Sequence, residues 1–184
     1  MAAVKHTLVA LVEDKPGVLN RVASLFRRRG FNIESIAVGH SELPHLSRVT
    51  IVVDGATTVV EQVRKQLDKV IDVVKVSDIT GNGMVARELA LVKVKTTSAT
   101  RGEIIEIVDI FRANIVDVAA DSVTIEVTGE ENKIESLFNL LRGFGIKEIA
   151  RTGRIAMTRG ATGSLAVGEP SPRPRTKEKK AEKK

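Results

Sequence analysis

Residues 4–41, VKHTLVALVEDKPGVLNRVASLFRRRGFNIESIAVGHS, predict in succession a strand, a turn, a helix and a second strand. Residues 4–12 are a β-branched apolar run that ends in charged residues, proline and glycine, a pattern typical of a strand leading into a turn. From Val18 the apolar residues recur at helical spacing until three arginines and Gly30, where the helix is expected to end. Residues 33–41 then predict the second strand.

The pattern continues to residue 80 and completes a first unit. Residues 47–54 and 72–79 predict two further strands, and residues 57–70 predict a helix because apolar side chains recur on one face. The order strand, helix, strand, strand, helix, strand is the βαββαβ or ferredoxin-like arrangement.

A second unit with the same order of elements is predicted after a linker at residues 81–86. We therefore predict an α+β protein with two tandem ferredoxin-like βαββαβ units, at residues 1–80 and 87–160. The second unit's predicted strands are 89–95, 115–119, 123–128, 146–150 and 155–158, and its predicted helices are 102–113 and 130–142.

The net charge of +6 comes mostly from the end of the chain. Residues 169–184 contain seven Lys or Arg and three Glu, so the rest of the chain carries only +2. This composition predicts a disordered basic tail over residues 161–184 and no basic surface for nucleic acid on the folded part.

An RNA-binding RRM has the same element order, but it stacks bases on aromatic residues, and the strands at 4–12 and 47–54 have none.

Several other classes are disfavoured by composition. The chain has no Cys and three His, which argues against a thiolate or histidine metal site and against a cysteine nucleophile. The carboxylates of Glu13 and Asp14 lack an accompanying base, so an autonomous enzyme is a weak hypothesis. No apolar run is long enough to span a membrane, and the N-terminus does not resemble a signal peptide. We expect a soluble cytoplasmic protein without a cofactor or metal of its own.

The turn between the first strand and the first helix is the candidate binding site. Gly17 gives a small ligand access to the backbone, and free N–H groups at the helix start attract a carboxylate. Asp14 beside it can hold an ammonium group, so together they suit the two poles of a free amino acid. The alternative is an ordinary turn in which Asp14 caps the helix.

Three strings carry a resemblance to a known family: D-K-P-G-V-L at residues 14–19, R-R-G-F-N-I-E-S-I at 28–36 and L-S-R-V-T-I at 46–51. They resemble ACT domains, and in detail the regulatory small subunits of acetolactate synthase, also called acetohydroxyacid synthase. The resemblance extends in the right order to about residue 160, with further similar stretches at 61–73, 87–94 and 110–118.

This resemblance implies a non-catalytic regulatory subunit in branched-chain amino acid biosynthesis. Its expected partner is the acetolactate synthase large, catalytic subunit, which would carry thiamine diphosphate, Mg²⁺ and FAD. The small subunit would raise the activity of that subunit and confer feedback inhibition, typically by valine. No partnership with nucleic acid or membrane is implied.

The family pattern also implies which residues bind the effector. Two ACT domains pair as a homodimer and the amino acid lies between them. Asp14 and Gly17 would come from one protomer and Asn32 from the other. From their positions in the sequence, we also expect Val18, Leu19, Ile33 and Val38 beside the effector. Some members carry Asn at the position of Asp14, where the anionic Asp14 of this chain can still hold the ligand ammonium.

Two points stay open. The strand at 4–12 is apolar on both faces, so either a second copy covers the outer face, which we favour, or the strand is simply central in the sheet. An ACT-domain amino-acid sensor that regulates a different enzyme or a transcription factor is the alternative function.

Overall fold

The structure is a computed structural model that describes residues 5–81, 83–160 and 165. The first unit contains β1 Lys5–Glu13, α1 Val18–Arg28, β2 Ile33–His40, β3 Leu46–Asp54, α2 Thr57–Leu67 and β4 Val73–Asp78. The second contains β5 Met84–Lys95, α3 Arg101–Ile110, β6 Asn114–Val118, β7 Ser122–Gly129, α4 Glu131–Leu141, a 3-10 turn Arg142–Phe144, β8 Ile146–Arg151 and β9 Ile155–Thr158. The predicted tail, residues 161–184, lies outside the described residues except for Leu165, whose side chain is buried.

Each unit is built on an antiparallel sheet of the predicted topology. The strand order is β2-β3-β1-β4 in the first sheet and β6-β7-β5-β8 in the second, with β9 paired to β5. In both sheets the first strand of the unit is central and the two crossing helices lie over one face. The predicted tandem ferredoxin-like fold is confirmed.

The helices cover the inner face of each sheet with aliphatic side chains. In α1 the buried residues are Val18, Val22, Leu25 and Phe26, which recur at helical spacing and pack on the inward residues of β1 and β3. The cations Arg27 and Arg28 lie in its last turn, where they suit the negative end of the helix dipole. A separate core of the same kind lies beneath α3 and α4.

The outer face of the first sheet is covered by the same chain. Val9 and Leu11 of β1 are fully buried there against Ile79, Ala156 and Leu165. The cover is a two-stranded ribbon in which residues 84–87 of β5 pair with β9. The apolar outer face of β1 therefore gives no argument for a second copy, contrary to the interpretation that we favoured from the sequence.

The start of β5 also differs from the sequence-based expectation. The strand begins at Met84, so residues 84–86, predicted as part of a linker, are strand residues that pair with β9.

None of the helices in residues 5–81 and 83–160 is long and apolar enough to cross a membrane.

Candidate functional site

The turn between β1 and α1 exposes backbone at the start of a helix. Gly17 is the N-cap of α1, with φ 86°, a left-handed conformation that glycine adopts without strain. No side chain caps this helix, so the alternative role of Asp14 as its cap is wrong. A Cβ at Gly17 would meet nothing within 4 Å, so the space beside the turn is open. Unpartnered N–H groups of a first helical turn can receive a carboxylate here.

The side chain of Asp14 points to the far end of β2. Its Oδ2 lies 3.4 Å from Nδ1 of His40, the last residue of β2, and the side chain is half-exposed. The backbone N–H of Asp14 donates to the carbonyl of His45, at 2.8 Å, which fixes the turn against the loop between β2 and β3. Sequence reasoning missed His40 because no local pattern links it to residue 14.

The apolar residues predicted for the site differ in accessibility. Val18 is 3% exposed and belongs to the core beneath α1, so its side chain is not available to an effector, and its N–H donates to the carbonyl of Lys15 at 3.4 Å. Leu19, by contrast, is 46% exposed beside the turn. Ile33 is half-buried and packs against the first core.

Asn32 is exposed but lies far from the turn in the same chain. Ile33, which follows it, is in register with Val53, and Val53 is in register with His6 of β1. Asp14 lies eight residues further along the chain than His6, which at the rise of a strand is about 26 Å. A single chain therefore does not bring Asn32 together with Asp14 and Gly17.

The strand β2 is at the edge of its sheet. Among the described elements it pairs with β3 alone, so one row of its backbone groups faces away from the sheet. Two apolar side chains on this strand are substantially exposed, Ile36 at 40% and Val38 at 47%. A free edge beside exposed apolar side chains favours pairing with another strand.

A loop of the second unit is packed on β2. Gly153, with φ 80°, approaches so closely that a Cβ there would lie 2.8 Å from Oγ of Ser35 and 3.1 Å from the carbonyl oxygen of Ile36. The N–H of Arg154 donates to the same Ser35 Oγ at 2.9 Å. This contact was not predicted, since a lone glycine in a loop carries no information about a partner so distant in sequence.

Ion pairs reinforce the same contact between the units. The ammonium of Lys5 on β1 contacts both Glu34 on β2 and Glu131 at the start of α4, and Arg154 also pairs with Glu131. Hydrogen bonding to Glu131 and Glu34 raises the pKa of Lys5, and the bond from Lys5 lowers the pKa of Glu131.

A polar cleft of about 350 Å³ lies beside these ion pairs, and its charged groups are already matched. The guanidinium of Arg151 at its wall makes two hydrogen bonds to Glu88, of 2.7 and 2.8 Å, and one to Glu135, of 2.6 Å. The bonds to Glu88 raise the pKa of Arg151. These three charges neutralise one another within the second unit, so the cleft offers no unmatched charge at Arg151 for a ligand. Within the described residues, no group of three or more His, Asp or Glu side chains could hold a metal ion.

Comparison with known proteins agrees with this architecture. Residues 8–75 match the family profile described as "AHAS small subunit-like ACT domain", and residues 87–160 match "Small subunit of acetolactate synthase". The chain is 60% identical over 156 residues to the probable acetolactate synthase small subunit of Archaeoglobus fulgidus, covering 85% of this chain and 98% of that one. It is 53% identical over 158 residues to the acetolactate synthase small subunit of Bacillus subtilis, covering 85% and 91%.

A solved structure shows the same fold over nearly the same length. The acetolactate synthase small subunit of Thermotoga maritima superposes with a TM-score of 0.80 at 46% sequence identity, covering 86% of this chain and 99% of that chain. One family therefore accounts for both units, for their order and for the sequence motifs around the β1–α1 turn. This chain belongs to the acetolactate synthase small subunit family.

Proposed function

We propose that this chain is the regulatory subunit that activates the thiamine-diphosphate-dependent catalytic subunit of acetolactate synthase and makes it sensitive to inhibition by valine. The effector would bind between the first units of two copies. Thiamine diphosphate, Mg²⁺ and FAD would all belong to the catalytic subunit.

The observation that carries the proposal is the separation of Asn32 from Asp14 within one chain. Antiparallel pairing of two β2 strands about a twofold axis would place Ile33 of one copy across from His40 of the other. Since His40 contacts Asp14 of its own chain, Asn32 of the second copy would then lie beside the β1–α1 turn of the first. The site would be complete only in the dimer.

Each part of such a site has a defined chemical task. The backbone at Gly17 and the start of α1 would receive the carboxylate of the amino acid, and Asp14 would hold its ammonium group. The side-chain amide of Asn32 from the other copy would donate a hydrogen bond to the bound amino acid. The exposed Leu19 and Val38 and the half-buried Ile33 would surround a branched side chain. Binding that favours one state of the assembly then inhibits the enzyme at a distance, with a coupling of about 1–3 kcal/mol in typical cases.

The test is reconstitution with the catalytic subunit and measurement of acetolactate formation, with and without valine. We expect the chain to raise activity and valine to reverse the gain. Asn32→Ala should abolish inhibition and leave activation largely intact, because we expect effector binding and activation to use different surfaces. Asn139→Ala, an exposed asparagine on α4, is the matched control and should behave as the wild type.

Three outcomes would contradict the proposal. If Asn32→Ala loses activation and inhibition together, the effector site and the activating surface are not separate. If Asn32→Ala keeps full inhibition, the effector does not bind at this edge. If the chain binds valine but does not alter the catalytic subunit, it is an ACT-domain sensor for another protein.

A further inference from the structure

A groove of about 330 Å³ lies on the outer side of the first sheet, away from the β1–α1 turn. The C-terminal half of β2 and part of β3 form one wall, and the β5–β9 ribbon forms the other. Its size is at the lower end of the range of roughly 300–1,000 Å³ that is usual for small-molecule sites. The side chains that matter here are Arg48, Val85, Arg87, Ile155 and Met157.

The apolar part of the groove is unusually accessible. On the ribbon, Val85 and Met157 are directly paired, as are Arg87 and Ile155, so all four side chains lie on the face turned away from the sheet. Ile155 is 60% exposed and Met157 is 59% exposed. An apolar ligand would remove this surface from water.

The charged residues of the groove are two arginines, Arg48 and Arg87. No Asp or Glu is among the described lining residues. Arg48 is half-buried and donates from Nη2 to the carbonyl of Ala156 at 2.8 Å. No carboxylate of the described residues lies within 4.0 Å of its guanidinium, whereas Arg87 pairs with Glu130 at 3.3 Å. Burial lowers the pKa of Arg48, and the charge of Glu42 opposes that shift only in part.

We propose that this groove binds a small carboxylate that has a branched apolar body and no ammonium group, with the carboxylate paired to Arg48. A partly desolvated guanidinium gains most from a bidentate carboxylate. An amino acid is disfavoured because the lining offers its ammonium group no carboxylate. The site is distinct from the effector site at Asp14 and Gly17, although His40 borders both.

Two methionines on opposite faces of the ribbon provide the measurement. The methyl group of Met157 lies in the groove, whereas Met84 packs against the buried cluster under the ribbon. We would record methyl spectra of the methionine-labelled full chain during titration with 3-methylbutanoate. A saturable shift of Met157 that exceeds that of Met84 is expected. The neutral isostere 3-methylbutanamide should shift Met157 much less at equal concentration.

Variants separate this site from the effector site. Arg48→Met should weaken 3-methylbutanoate binding by about tenfold or more, as expected for loss of a charge-assisted hydrogen bond. Ile155→Glu, at an exposed position that the fold tolerates, should also abolish binding by placing a like charge in the groove. Ile110→Glu is its control, because Ile110 is 76% exposed and lies outside the groove. Asn32→Ala should leave 3-methylbutanoate binding unchanged even if valine binding is lost.

The proposal is overturned if the amide shifts Met157 as strongly as the acid, or if no shift occurs at millimolar concentration. It is also overturned if Ile155→Glu binds as tightly as Ile110→Glu. A Met157 signal that changes with protein concentration alone would show that a second copy covers the groove instead. None of these results depends on whether valine binds at Asp14.

Discussion

Gly153→Ala is the substitution that most directly tests the contact between the two units. Gly153 has φ 80° and its added Cβ would lie 2.8 Å from Ser35 Oγ and 3.1 Å from the carbonyl oxygen of Ile36. The chain provides a matched control in Gly160, which has φ 73° but no atom of the described residues within 4 Å of the added Cβ. Both substitutions carry the same left-handed strain, and only one creates an overlap with β2.

The magnitude follows from separating these two effects. Left-handed alanine costs about 1–2 kcal/mol, and this applies to both variants. At position 153 the overlap includes a backbone atom that cannot turn aside, and overpacking of this kind costs about 1–3 kcal/mol. If the loop moved to relieve the overlap, the hydrogen bond of 2.9 Å from Arg154 N–H to Ser35 Oγ would break. We therefore expect Gly153→Ala to lose about 1–3 kcal/mol more free energy of unfolding than Gly160→Ala.

The assay is urea unfolding of both variants at one protein concentration, with hydrogen exchange at the Arg154 amide as a local probe. Exchange at this amide should accelerate in Gly153→Ala and stay unchanged in Gly160→Ala. Removing the nearest neighbour atom with Ser35→Ala should recover part of the loss in the double variant. Equal losses of stability in the two glycine variants, with unchanged exchange at Arg154, would refute this account of the contact.

Three further predictions concern the effector site, the ion pairs and the tail. Gly17→Asp should desensitise the reconstituted enzyme to valine, because it adds a carboxylate where the ligand carboxylate would lie; an unchanged valine inhibition curve would contradict this. Glu131→Gln should be less stable than the wild type near neutral pH, because Lys5 lowers the pKa of Glu131 and favours its charged form in the folded state. The difference should begin to shrink as pH falls below the ordinary glutamate pKa of 4.5 and should be lost once pH is below the lowered pKa of the folded state. A stability difference that persists in acid would show that the ion pairs of Glu131 are not its cause. Deletion of residues 169–184 should change neither the free energy of unfolding nor the valine response, which calorimetry and the activity assay would check.

The element order could be predicted from the sequence because its signals are local. The helix α1 shows buried residues at helical spacing, and β1 is a continuous β-branched run, so both were predicted within a residue or two. The first five residues of β5, 84–88, were missed. The first four of them pair with β9, about seventy residues away, and no local sequence pattern near Met84 indicates that pairing.

The candidate site was predictable only in part. Residue type and position identified the exposed turn at Asp14 and Gly17. The resemblance to the family motifs added Asn32 to the predicted site. Burial removed the side chain of Val18 from the site, since the helical face that it occupies is turned to the core. The contact of Asp14 with His40 required the register of the first sheet, which is a long-range property.

The sequence by itself determined the two ferredoxin-like units and the family. Hydrophobic periodicity, turn residues and family motifs are local signals, because each is carried by residues that are close together in the sequence. Only the tertiary structure decided how the units meet. Lys5 forms ion pairs with Glu34 and Glu131, which are 29 and 126 residues away in the sequence. Gly153 packs on β2. The outer face of β1 is covered by the chain's own ribbon, although its apolar pattern fits a second copy equally well. Burial requires an apolar partner without specifying which one, and that choice is made by packing in three dimensions.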